Sequence, residues 1–283
     1  MPNHVTNFVK APVHILLALL NNKGQPDFNQ VIPCTLPYPD SPSSSNSFIV
    51  RETFNELKTL TEEQRRNRFK ELAKGKSPYW DYTDGAKLST PWEVLFEQAY
   101  QNMLVTGFPD WYDWNVEHWF TKWGAYSTMV NLDENDPFIV FQTAWVAPHP
   151  VYLELSKKFP GEMISVAFAD ESIGDNFGIL GYIEGGYTRL EPHIFVNQKL
   201  KGIKTVFDFC VALVRLNHHF LNRVSTDHSS HLEERFFLDE KKGAYFIEAW
   251  EEQFHHGGES GNWFGGLEEL HKTPLSSKVY KFS

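Results

Sequence analysis

The sequence predicts an α+β fold: a small antiparallel sheet with its helices on one face, interrupted by a long helical insertion and followed by an acidic extension. Three observations carry this. Short β-branched and aromatic runs of period two stand at the opening of the chain and again beyond residue 124. Between them, residues 26–124 hold capped segments of helical period. Past Glu191 the chain changes character again, to an apolar run and then to histidine-rich and acid-rich sequence.

Taken in order, HVTNFV at 4–9 reads as a first strand. Pro12 opens a helix through HILLALLNN, with Ile15, Leu16, Leu19 and Leu20 on one face and an end near Gly24. Asp27–Leu36 reads as extended, and PYPDSPSSSNS after it as a connector. Residues 48–76 are expected to be helical, with Thr61 and Gln64 as a capping box before the second part. Thr90-Pro91-Trp92-Glu93 marks another helix start, with Thr90 as N-cap and proline at the first helical position. Its apolar positions Trp92, Leu95, Phe96, Ala99, Met103 and Leu104 recur at core spacing up to Gly107.

Beyond residue 124 the period falls from 3.6 to 2. Ala125–Leu132 and Phe138–Trp145 form a strand pair, Pro150–Phe159 a short helix, and Met163–Ala169, Phe177–Glu184 and Tyr187–Leu190 further strands. With 26–124 set aside, the elements run strand, helix, strand, strand, helix, strand, plus a hairpin. That is the ferredoxin-like order, a split β-α-β. The domains are therefore expected at 1–25 with 125–190 (ferredoxin-like core), 26–124 (mainly helical insertion) and 191–283 (acidic C-terminal extension).

The segment 110–123 is the densest in aromatics. Asp110 is placed to cap a helix, with Asp113 at N3 and Gly124 as the residue that ends it. Tyr112, Val116, Trp119, Phe120 and Trp123 fall on one stripe, and Trp111, Trp114, His118 and Lys122 on another. One stripe suffices to dock a helix, so the second side needs a partner of its own: the rest of the chain, a ligand or a protein surface. Trp111, Trp114, His118 and Lys122 are the candidate binding residues, joined by Trp263 in the glycine-rich GGESGNWFGG.

WFTKWGAY at 119–126, FQTAWVAPHP at 141–150, LSKKFPG at 155–161 and the opening MPNHVTN together resemble the YubB-type ferredoxin-like family of phage and plasmid proteins. That family's pattern is close to W-G-T-K-W, then T-A-W with prolines, then S-K-K-[YF]-P. Phe120 stands where the family usually has glycine. The resemblance covers roughly residues 1–185. It implies the ferredoxin-like fold and a phage or mobile-element context, and it brings no activity with it.

Composition narrows the function classes. The formal net charge of −10 argues against a general nucleic-acid binder, although RRNRFKELAKGK at 65–76 is locally basic; its interleaved acids read as a solvated helix face. Two distant cysteines, Cys34 and Cys210, form neither a disulfide scaffold nor a metal spacing. The apolar run His14–Leu20 is too short to span a membrane and lacks a charged leader, so the expected location is the cytoplasm of the bacterial host. His218, His219, His228, His231, His255 and His256 cluster late without a known ligand spacing, and no metal or cofactor is expected. No nucleophile elbow or phosphate-binding glycine loop stands in the sequence, and no catalytic residue is assigned. Catalysis stays open, because paired carboxylates made in space leave no spacing signal.

The favoured expectation is a phage or mobile-element protein that binds a host protein, inhibiting an anti-phage defence. The alternative is a small-ligand or nucleotide binder, or an enzyme, with its site between the sheet and the helical insertion. The oligomeric state is not legible.

Overall fold

The computed structural model describes residues 3–40, 45–77, 79–83, 86–171, 176–190, 209–210 and 213–214. In chain order the elements are β1 (His4–Lys10), α1 (Val13–Leu17), a 3₁₀ turn (Phe28–Gln30), α2 (Ser45–Thr59), α3 (Glu62–Ala73), β2 (Tyr79–Thr83), β3 (Ala86–Thr90), α4 (Trp92–Thr106) and α5 (Trp111–Trp119). They continue with β4 (Tyr126–Asn131), β5 (Phe138–Ala144), α6 (His149–Lys158), β6 (Ile164–Asp170), β7 (Phe177–Ile183) and β8 (Gly186–Arg189). The chain divides into two compact units, Met1–Val31 with Trp123–Ser283, and Ile32–Lys122.

The first unit is built on a six-stranded sheet of order β4-β5-β1-β6-β7-β8. Every neighbouring pair is antiparallel. With α1 and α6 in their places, the four strands β4, β5, β1 and β6 have the ferredoxin-like arrangement, extended by the β7–β8 hairpin at the β6 edge. The N-terminal strand lies in the middle: His4 faces Ala144 across β5, and Val5 faces Asp170 across β6.

Antiparallel register puts directly opposed residues on one face. One face carries the row Phe141, Asn7, Phe168, Gly178. Helix α6 packs here: Tyr152 Oη donates to Asn7 Oδ1 at 3.0 Å, and the His149 ring stands edge-on to Phe168 at 5.1 Å. Phe28 of the 3₁₀ turn meets Phe141 on this face at 5.7 Å, and His14 of α1 meets Phe159, just past α6, at 5.4 Å. Gly178 is required by the ring of Phe168, since a Cβ there would stand 2.8 Å from it. Asn7 is fully buried and spends its amide on Val5 O (3.1 Å) and Thr143 Oγ1 (2.9 Å). The opposite face carries the row Val140, Phe8, Ala167, Ile179, and these four are buried as well.

Several local expectations change on folding. The first helix stops at Leu17. Ala18, Leu19 and Leu20 then turn back by tight i→i−3 bonds, and an isolated bridge joins Leu20 to Pro26. Ile15, Leu16 and Leu19 are buried all the same, because a tight turn keeps them on one side. Asp27–Leu36 is not extended throughout: Asp27 accepts from Asn29 N at 3.0 Å and caps the 3₁₀ turn.

In the second unit, α2, α3 and α4 enclose a core of Val50, Leu57, Phe69, Phe96, Ala99 and Tyr100. The capping box at Thr61 and Gln64 is formed. The β2–β3 hairpin has no counterpart among the sequence expectations; it pairs Tyr79 with Thr90. Thr90 is thereby used by the strand, and Pro91 rather than Thr90 is the N-cap of α4. Leu104 was expected in the core and is exposed instead. Arg66 pairs with Glu62, and Arg68 with both Glu56 and Glu71, so much of the basic tract is neutralised within the helices.

The helix after Asp110 also ends early. Asp110 accepts from Tyr112 N (3.0 Å) and Asp113 N (3.1 Å), as its position predicts. The stop is Phe120, left-handed at φ 63°, and Gly124 is not left-handed. A non-glycine residue there costs about 1–2 kcal/mol, while glycine raises the entropy of the unfolded chain by about 0.4–1 kcal/mol. Phe120→Gly should therefore raise the unfolding free energy by about 0.5 kcal/mol in urea denaturation. A loss of stability of ~1 kcal/mol or more would show instead that the ring's packing outweighs the backbone strain.

Candidate functional site

Of the residues singled out in the sequence, the described ones, Trp111, Trp114, His118 and Lys122, do not form one constellation. Trp114 is 1% exposed. It stacks flat on His118 (centroids 4.1 Å, 8°) and stands edge-on to Trp119 (5.4 Å, 88°). Of the partners open to the second face of its helix, the rest of the chain is the one Trp114 has: it is an interior residue of α5. The length of the helix accounts for two departures from the other stripe. The run ends at Trp119, so the 100° extrapolation that placed Phe120 and Trp123 on the core stripe fails, and both are exposed. Trp119 remains inside, its indole N–H donating to Ile32 O at 3.1 Å.

His118 is half-buried and held by two partners. Its ring lies on Trp114, and its Nδ1 bonds the carbonyl of Trp114 at 2.8 Å, one helical turn back. A carbonyl only accepts, so Nδ1 carries the proton, and in the neutral ring Nε2 is the acceptor. Phe108 closes the other side, edge-on at 5.3 Å. The indole N–H of Trp114 is buried with no hydrogen-bond partner among the described residues. Such a donor costs about 1–3 kcal/mol relative to a paired one.

Lys122 and Trp111 stand apart from that stack. Lys122 Nζ lies 5.8 Å from the Tyr112 ring centroid, and Asn115 Nδ2 donates to Lys122 O at 3.0 Å, fixing the chain just past the helix. Trp111 is edge-on to Tyr112 at 6.0 Å. Asp113 forms an ion pair with Arg51 of α2. The structure thus joins Trp114 to His118 and leaves Trp111 and Lys122 each beside Tyr112. Trp263 lies outside the described residues, as do the late histidines.

A second constellation went unnoticed in the sequence because pairing across strands makes it. His4 Nδ1 is hydrogen-bonded to Tyr126 Oη at 2.5 Å, joining the start of β1 to the start of β4. Glu171, directly after β6, donates its backbone N–H to His4 O at 2.9 Å. Two left-handed non-glycine residues flank the group: Ser127 (φ 50°), in the irregular register of β4 against β5, and Trp145 (φ 73°). Trp145 is pinned on both sides, donating to Asn3 O (2.9 Å) and accepting from Asn176 Nδ2 (3.0 Å). Burial holds the Tyr126 hydroxyl far above its ordinary range, reinforced by the charges of Glu171 and Asp170. Burial also pushes the Glu171 carboxyl up to about 7, against a backbone hydrogen bond from His4 that lowers it. A carboxyl titrating near neutrality beside a histidine–tyrosine pair can take or give a proton at that end of the sheet. Separations of more than 100 residues gave no signal that could have found it.

Deeper in the same unit, His149 is hydrogen-bonded to Tyr182, and burial depresses its imidazole to about 4. It is neutral in the fold at neutral pH.

No group of three or more histidines, cysteines or carboxylates able to hold a metal ion occurs among the described residues. No helix among them is long and apolar enough to cross a membrane.

The elevation of Glu171 has a definite sign. Between pH 4.5 and about 7 the folded chain holds a proton that the unfolded chain has lost, so this group's contribution to stability falls as pH rises. His149 acts oppositely below pH 6.5, so the comparison must isolate Glu171. The stability of the wild type minus that of Glu171→Gln, from denaturant melts, should fall from pH 4.5 to 7 and then level. A difference independent of pH contradicts the assignment.

Compared with known proteins, residues 112–191 match the family model described as a ferredoxin-like domain in Api92-like protein. No curated protein and no solved structure gives a match. The match agrees with the ferredoxin-like arrangement of the sheet. It does not extend to the YubB-type assignment or to a phage origin.

Proposed function

We propose that this protein works by binding another protein, through the outer face of α4. One observation carries the reading: Val94, Leu104 and Val105 are 45%, 47% and 65% exposed. Val94 and Val105 are eleven residues apart, three helical turns, and so project from the same side. Tyr38 is a further exposed aromatic whose backbone is tied to this helix. Its backbone is clamped by Asn102, which accepts from Tyr38 N at 2.8 Å and donates to Tyr38 O at 3.1 Å, and its ring is exposed. Scattered apolar residues on a surface need no explanation, but Leu104 and Val105, adjacent and exposed on a helix whose other side already fills a core, can anchor an interface. Glu93, Glu97, Gln98 and Gln101 belong to the same helix and supply polar groups beside the apolar anchors, as protein contacts use both.

The partner's chemistry follows from charge. A chain with a net charge of −10 meets a basic surface faster and holds it better than an acidic one. The resemblance to phage and plasmid proteins supports a bacterial host protein as that partner, and inhibition of an anti-phage defence as the purpose.

The test is site-specific photocrosslinking in a bacterial host. A photoreactive phenylalanine at Val105 should trap one protein in near-stoichiometric yield, and Leu104→Asp should remove the adduct without changing the thermal melt. The same group at Arg66, exposed on α3, is the control. Equal adducts at both positions, or none at Val105, contradict the reading.

A further inference from the structure

We propose that one end of the sheet's second face binds a small organic cation, an ammonium or guanidinium group, among Glu171, Gln142, Thr6 and the ring of Tyr126. Strand register brings these side chains together. Tyr126 of β4 stands across from Gln142 of β5, Gln142 across from Thr6 of β1, and Thr6 across from Ala169 of β6. Directly opposed residues share a face, and this is the face of Phe8 and Val140 rather than the one α6 packs on. His4 lies on it too, two residues before Thr6 and opposite Ala144, and its ring reaches the Tyr126 hydroxyl. Glu171 continues the register of β6 beside His4, to whose carbonyl its backbone N–H donates at 2.9 Å. The charge of Glu171 reaches the Tyr126 hydroxyl, as does that of Asp170 one residue earlier.

Two properties set this group apart from an ordinary structural cluster. Gln142 is 3% exposed and Thr6 1%, yet among the described residues neither side chain has a hydrogen-bond partner. Asn7 on the other face is the contrast, since its amide and its carbonyl are both used. A buried amide or hydroxyl without a partner costs about 1–3 kcal/mol, and a ligand with N–H donors offsets that. The second property is access. His4, Tyr126 and Glu171 are half-buried rather than sealed, and Trp123, edge-on to Tyr126 at 6.1 Å, is 37% exposed. Ala144 and Ala169 stand among the polar side chains and fill little of the space beside them.

The chemistry of the group selects the charge of its ligand. The Glu171 carboxylate, the Gln142 carbonyl and the Thr6 hydroxyl accept hydrogen bonds, and the faces of Tyr126 and Trp123 attract a cation. Two carboxylates near the Tyr126 hydroxyl oppose a phosphate or a carboxylate, so a nucleotide is disfavoured. Among the described residues no three histidine, cysteine or carboxylate side chains are grouped to hold a metal ion, so the cation is an organic one. The site belongs to the sheet unit alone and is independent of the α4 face.

Solution NMR on the full chain, above the Glu171 value of about 7, tests this. The probes are methylguanidinium and methylammonium, with urea as the neutral analogue and acetate as the anion. At least one of the cations should shift the Gln142 side-chain amide and the Ala169 methyl saturably, and neither urea nor acetate should. Glu171→Gln should weaken that binding about 10-fold, the loss of roughly one charge-assisted hydrogen bond. Thr6→Val keeps the outline of its side chain and should weaken binding too, which guards against a folding defect in the first variant. No saturable shift at Gln142 and Ala169 with either cation, equal shifts with acetate, or unchanged affinity in both variants overturns the site. Once a cation binds, a blocked arginine peptide separates two sources of the same chemistry. Displacement points to a protein side chain and no displacement to a free small molecule, and either result upholds the site.

Discussion

The first unit depends on one constraint, the insertion of β1 between two strands that lie more than 120 residues away in sequence. His4–Lys10 pairs along its whole length with β5 and along most of it with β6. A strand in that position satisfies both edges of its backbone and leaves no ladder group exposed. Burial also fixes its register, since a slip of one residue would turn Phe8 and Asn7 to the wrong faces. Asn7 reads that register most sharply. Its amide has partners on β1 and β5, and its carbonyl accepts from Tyr152 on α6. A buried amide that lost one of these would cost about 1–3 kcal/mol, so the bonds select one alignment as well as stabilising it.

The helical unit obeys a more local logic. Its core residues come from three helices near one another in sequence, and its ends are set by the Thr61–Gln64 box and by Asp110. Arg51, Arg65, Arg66 and Arg68 pair with carboxylates within and between helices, and Arg65 lies 4.4 Å over the Tyr100 ring. Exposed pairs of this sort add little stability each. Their effect is to discharge a tract that would otherwise present a basic surface. The outer side of α4 presents exposed apolar residues, and the proposed binding starts from that face.

The ferredoxin-like order was legible because it rests on period and turn chemistry. Alternating runs beyond residue 124 and an opening β-branched run leave few arrangements once the middle is recognised as helical. The capping box and the Asp110 cap were legible because each is a contact within three residues. Three things were not. The β2–β3 hairpin lies in a mixed stretch with no strict alternation. The end of α5 at Phe120 contradicts the glycine rule, since the stop is a left-handed phenylalanine while Gly124 downstream has an ordinary conformation. The His4, Tyr126, Glu171 group is created by strand pairing, which no spacing announces. Of the candidate binding residues, Trp114 was placed on the correct helix, and the partner its side needs is the chain itself; a wheel drawn to residue 123 misplaces only Phe120 and Trp123, beyond a helix that ends at 119.

Native-state hydrogen exchange on the amides of β1 tests the central claim most directly. The account predicts that Val5 through Val9 exchange only with global unfolding, at the same free energy as Phe141 of β5 and Ala167 of β6. Exchange of the β1 amides at a markedly lower free energy than those two neighbours, with β5 and β6 still protected, would show that the sheet stands without its N-terminal strand and would contradict it.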